Sequence, residues 1–167
     1  MSISSIKAAI LQLDEAQLRA LVMDLAKLNK ENKHWLVTRL KLDADTRGIL
    51  EDYRKKISRA LERMPIDLRA ARQTVMDFMK ISRQPDEILE LMVSYGEIGV
   101  RIENRYGDLY ESFYASMETM FEQAVDLLRK NPELIEVYRP RLFKIVAHSA
   151  EGWNHRDTLE DMYERLQ

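Results

Sequence analysis

Two short stretches of this 167-residue chain gather side chains able to do chemistry. The first runs Glu103-Asn104-Arg105-Tyr106-Gly107-Asp108, with Glu111 and Tyr114 close behind. Carboxylates and phenols converging on one helix corner can exchange protons or hold a hard cation. The same residues also read as architecture, and that reading is preferred. Gly107 suits a helix C-terminus with positive φ, and Asp108 with Glu111 forms a capping box at the start of the next helix. The second stretch is Gly152-Trp153-Asn154-His155-Arg156-Asp157, preceded by His148 and Glu151, and it holds two of the three histidines. Histidine beside a carboxylate can bind zinc or shuttle a proton. The spacing of His148 and His155 across Gly152 matches no helical ligand pair, so no metal and no cofactor is assigned, and Trp153 is expected to plug the end of the core. A small-ligand site is expected to combine Tyr106, Asp108, Glu111, Tyr114, Trp153, His155 and Asp157 across one cleft between the two stretches. Catalysis there would need His155 within about 3 Å of Asp108, Glu111 or Asp157. No catalytic residue is assigned.

A third candidate is basic. Lys55, Arg59 and Arg63 repeat every four residues and share a helix face, with Arg69 and Arg72 following, a ridge able to track phosphates. Glu51, Asp52, Glu62 and Asp67 are interleaved, so a solvated, ion-paired face explains the ridge and is preferred. Among nine methionines, Met76, Met79, Met92, Met117 and Met120 fall at inward positions, where core filling is expected over an adaptable partner groove. No phosphate-binding glycine loop, nucleophile elbow, HExxH helix or EF-hand loop occurs, which leans the reading away from an enzyme.

Around these residues the chain reads as helical throughout. Asp14 and Gln17 form a capping box, after which Leu18, Leu21, Val22, Leu25 and Leu28 mark one apolar stripe, with a turn near Asn32. A shorter helix places Trp35, Leu36 and Leu40 inward and closes in the polar segment Asp43 to Thr46. Leu50, Tyr53, Ile57, Ala60, Leu61 and Met64 lead to Pro65, which stops that helix. Asp67 caps the next one and Pro85 opens another, ending at Tyr106-Gly107, with Gly96 and Gly99 inside it. Each interior glycine costs about 1 kcal/mol against alanine, so both call for a closely approaching neighbour or a kink. The longest helix is expected after Asp108; Pro140 is expected to kink or split the segment 133–151, and Asn154 and Asp157 to cap the last helix. Nothing alternates with period two. The reading is all-α: eight or nine helices in stacked antiparallel hairpins, a short α-solenoid-like array or a compact bundle, forming one domain over 1–167.

Composition agrees with a folded helical protein: 46% hydrophobic, 32% charged, 5 Gly and 4 Pro. With no cysteine, disulfides and thiolate metal sites are excluded. Met1 to Leu13 shows no secretory signal, and no apolar run is long enough for a membrane span, so a cytoplasmic protein without membrane contact is expected. The net charge of -2 hides a split, because up to Arg83 there are 17 Lys+Arg against 11 Asp+Glu, and beyond it 9 against 17. A +6 part and a -8 part can pack on each other or on a second copy, and the basic part can also meet nucleic acid.

The run Leu28-Asn29-Lys30-Glu31-Asn32-Lys33, the stretch Tyr106-Gly107-Asp108 followed by Phe113-Tyr114-Ala115-Ser116-Met117-Glu118, and the surroundings of Trp153 and His155 resemble a bacterial family of small helical proteins of unknown function. The resemblance implies a bacterial cytoplasmic origin and interest in the 106–108 corner and the 153–157 loop; it implies no activity. The function expected is a non-enzymatic helical protein–protein interaction module, with a protein partner or self-association. The alternatives are nucleic-acid binding through Lys55, Arg59, Arg63, Arg69 and Arg72, or the small-ligand site.

Overall fold

A computed structural model describes residues 2–40 and 42–166, and of residues 43–45 the backbone alone. The described residues are all-α, with nine α-helices and no strand. The chain divides into two compact units, Met1–Thr46 and Arg47–Gln167. The single-domain reading over 1–167 gives no reason for this boundary, which falls in the first turn of a helix with no Pro- or Gly-rich linker beside it.

The first unit holds α1 (Ile3–Ile10), α2 (Glu15–Leu28) and α3 (Lys30–Arg39). The sequence reading assigned no helix to the first; Ser2 caps it by accepting the Ser5 N–H at 3.3 Å. The capping box of α2 is as read: Asp14 Oδ1 accepts the Gln17 N–H at 2.8 Å, and Gln17 Oε1 accepts the Asp14 N–H at 2.9 Å. The break before α3 comes at Asn29, not near Asn32, because the Asn29 side chain caps α3 through the Asn32 N–H at 2.7 Å. α2 packs against α3. Their inward faces differ from expectation: α2 buries no residue, and α3 buries His34, Val37 and Thr38, leaving Trp35 and Leu40 exposed. The polar segment read as closing this hairpin instead begins α4 (Asp43–Glu62); the side chains at 43–45 lie outside the described residues.

In the second unit, α4 is followed by α5 (Leu68–Ile81), α6 (Pro85–Tyr106), α7 (Glu111–Lys130), α8 (Ile135–His148) and α9 (His155–Glu164). An ordinary amphipathic helix buries one stripe. α6 buries twelve of its 22 residues, on most of its circumference, and packs on α5, α7 and α8, so this unit is a bundle around a central helix. α6, not α7, is the longest helix. Both interior glycines answer the close-approach reading. A Cβ on Gly96 would sit 2.9 Å from Ile145 Cδ1 of α8, and one on Gly99 would overlap the Met117 sulfur of α7. Arg141 of α8 then clamps the central helix through a two-pronged contact to Glu97, at 2.8 and 2.9 Å, and a further bond to Glu90. α8 runs unbroken through Pro140 after a 3-10 turn at Pro132–Leu134. Met92, Met117 and Met120 fill the core, whereas Met76 and Met79 remain exposed.

Candidate functional site

The corner between α6 and α7 and the loop between α8 and α9 lie together at one end of the second unit. Asn104 donates to the His148 carbonyl at 3.3 Å, and a Cβ on Gly152 would stand 3.4 Å from Asp108 Oδ1. Local chemistry builds each segment. Gly107 ends α6 with φ 75° and ψ -147°, a region that L side chains rarely enter. The expected capping box at Asp108 does not form; α7 begins at Glu111 with Tyr110 as its N-cap, and the Tyr114 hydroxyl takes the Leu109 N–H at 3.1 Å. Asn154 likewise makes no side-chain cap to α9, because it is left-handed with φ 57°. Trp153 beside it is also left-handed, and two consecutive non-glycine residues there carry a cost of about 1–3 kcal/mol each. Arg156 holds the loop in place, donating to the Ser149 carbonyl at 2.9 Å and to Glu151 at 2.7 Å.

The seven candidate residues separate into two sets. Tyr114 and His155 are buried with ring centroids 4.9 Å apart. Tyr106, Asp108, Glu111, Trp153 and Asp157 are exposed. Trp153, expected to plug the core, is 62% exposed, because the left-handed turn swings it away from the bundle. His155 does not meet Asp108, Glu111 or Asp157. Its Nδ1 lies 2.8 Å from Glu118 Oε1 on α7, and its Nε2 lies 3.4 Å from Glu103 Oε1 on α6. The other oxygen of Glu103 accepts the Ala150 N–H at 3.0 Å. The 3.4 Å contact is an ion pair without hydrogen-bond alignment, so Glu103 Oε1 and His155 Nε2 face each other across a gap.

Burial alone would push the His155 pKa down, but the nearby carboxylates of Glu103 and Glu118 outweigh it and hold the imidazole above its ordinary 6.5. A cation enclosed by two carboxylates is a structural arrangement of the kind that is costly to break. The space beside it is about 10 Å³, room for a single water and no substrate. Among the described residues no three His, Asp or Glu side chains converge to hold a metal. The sequence reading missed Glu118, and it counted Glu103 in the polar corner without placing it among the seven site residues. The available signal was periodicity: Glu103 follows Gly99 by four and Glu118 follows Tyr114 by four, placing both carboxylates on the apolar stripes of their helices.

Of the basic series, two residues line one groove. Arg59 and Arg63 line a groove with Lys56, Ala60 and Ala70. Lys55 is paired with Glu51 at 3.8 Å. Arg69 and Arg72 lie off the groove, because α5 turns Ala70 and Thr74 toward it.

The exposed apolar side chains are concentrated elsewhere. Among the described residues 20 large hydrophobics are exposed, twelve of them between Ile3 and Leu42 and eight beyond. α1 buries none of its residues, and α2 leaves Leu21, Val22, Leu25 and Leu28 between 39% and 73% exposed. No helix among the described residues is long and apolar enough to cross a membrane. No protein-family model matches the chain, and no curated protein or solved structure matches it significantly.

Proposed function

We propose that this chain is a non-enzymatic helical interaction module whose docking face is the apolar surface of α1 and α2, and that the surface first takes a second copy of the chain. The observation carrying this reading is a helix with a full apolar stripe and no buried residue. Leu18, Leu21, Leu25 and Leu28 follow the three-four-three spacing of a helix-pairing seam. A single 14-residue seam is marginal in isolation. Two hairpins of α2 and α3 brought together make a four-helix arrangement that covers both seams. Residues 1–46 carry seven Lys+Arg against six Asp+Glu, so like-charge repulsion opposes no self-association. A standard interface needs about 800 Å² per partner, and nine large exposed apolar side chains between Ile3 and Leu28 supply the apolar part of such a surface.

The enclosure of His155 supports the non-enzymatic side of the reading, since neither ring nitrogen is open to a substrate. Sedimentation velocity of the full chain and of the Leu21→Lys, Leu25→Lys double variant tests the proposal. The expected result is a self-associating parent and a monomeric variant of unchanged helicity. A parent that stays monomeric at high micromolar concentration overturns self-association, and a partner captured through the same leucines would then replace the second copy.

A further inference from the structure

We infer that the groove between the end of α4 and the start of α5 is a binding site for a compact polyanion of the triphosphate class. The groove has a volume of about 670 Å³ and presents Lys56, Arg59 and Arg63. Two acidic residues line it as well, and both are engaged. Glu62 pairs with Arg101 at 3.3 Å, and Asp67 Oδ1 accepts the Ala70 N–H that begins α5 at 2.8 Å. Three cations therefore face one carboxylate that no cation matches. Arg59 and Arg63 make no ion pair among the described residues, and the Lys56 ammonium is held 4.6 Å over the Tyr53 ring.

The arrangement suits phosphate. Arg59 in the last turn of α4 and Arg63 just past its end both line the groove, so their planar forks can grip neighbouring phosphoryl groups while Lys56 adds a point charge. Ala60 and Ala70 keep the floor of the groove low, which lets a ligand approach. The positive surface is only one ligand long. Beyond it Lys55 is taken by Glu51 and Arg101 by Glu62, and Arg54 lies within 3.9 Å of Glu90 and Glu97. No exposed aromatic lines the groove to stack a base. A nucleic-acid track needs a continuous basic path and commonly aromatic platforms, so the groove favours a short, dense anion over a strand.

Isothermal titration calorimetry of the full chain with inorganic triphosphate at low salt tests this, with an unstructured 20-nucleotide DNA strand as the second arm. The expected result is saturable triphosphate binding that weakens at least tenfold in the Arg59→Glu, Arg63→Glu variant and less than twofold in the Arg69→Glu, Arg72→Glu variant, which changes charge equally off the groove. If the first variant loses helicity, Arg59→Gln, Arg63→Gln takes its place. Absent triphosphate binding, equal losses in the two charge-reversal variants, or binding of the DNA strand tighter than triphosphate each overturns the inference.

Discussion

His155 of α9 donates to Glu118 of α7 at 2.8 Å while its other nitrogen faces Glu103 of α6 at 3.4 Å, so one imidazole ties the last helix to two others. Because its folded pKa is raised above 6.5, the charged form contributes stability that is fully present below pH 6.5 and is lost as pH rises through the folded value. Chemical denaturation across pH 5 to 9 is expected to give falling stability over the upper part of that range, and a flatter profile in His155→Gln. Tyr138 leaves this window clear. Burial, with the charge of Glu90 adding to it, pushes its hydroxyl up to about 12, so its own loss of stability begins only above pH 10.

Removing one partner of the buried cluster leaves the others unmatched. Glu103→Ala leaves the His155 charge to Glu118 alone and strands the Ala150 N–H, and should cost about 1–3 kcal/mol. Glu103→Gln keeps an acceptor for Ala150 and should cost less. Equal urea midpoints for the two variants would show that the acceptor for the Ala150 N–H contributes nothing, and a Glu103→Gln midpoint equal to the parent's would show the same of the carboxylate charge.

At Gly99 a Cβ would overlap the Met117 sulfur and stand 3.2 Å from its Cγ. Gly99→Ala should therefore destabilise by about 1–3 kcal/mol despite its better helix propensity. Pairing it with Met117→Ala should recover part of that loss, and a double-mutant cycle measures the coupling. Strict additivity would remove the close contact from the account.

Gly107 holds φ 75° and ψ -147° with open space around it. Gly107→Ala should cost about 1–3 kcal/mol through backbone strain alone. A thermal melt unchanged from the parent would mean that the α6 terminus adopts another conformation.

Much of the second unit was legible because its helices obey one rule at a time. The stripes of α5 and α6, the stop at Pro65 and the positive φ at Gly107 follow from periodicity and local sterics, and Gly96 and Gly99 signalled close approach correctly. What escaped depends on tertiary competition. Asp108 lost its capping role where the Tyr114 hydroxyl took the Leu109 N–H. Trp153 turned outward when the chain entered a left-handed turn, which no apolar pattern encodes. The partners of His155 lie 37 and 52 positions away along the chain, beyond any local spacing argument. In the first unit the periodicity of α2 was read correctly, but periodicity marks a face that prefers burial without naming what covers it.

Whether this face takes a second copy is decided by the molar mass of the full chain from light scattering during size-exclusion chromatography over a range of loading concentrations. The expected mass rises from 19.7 kDa toward twice that value as concentration increases, and stays at the single-chain mass for Leu21→Lys, Leu25→Lys. A parent that elutes at the single-chain mass at every concentration would contradict it.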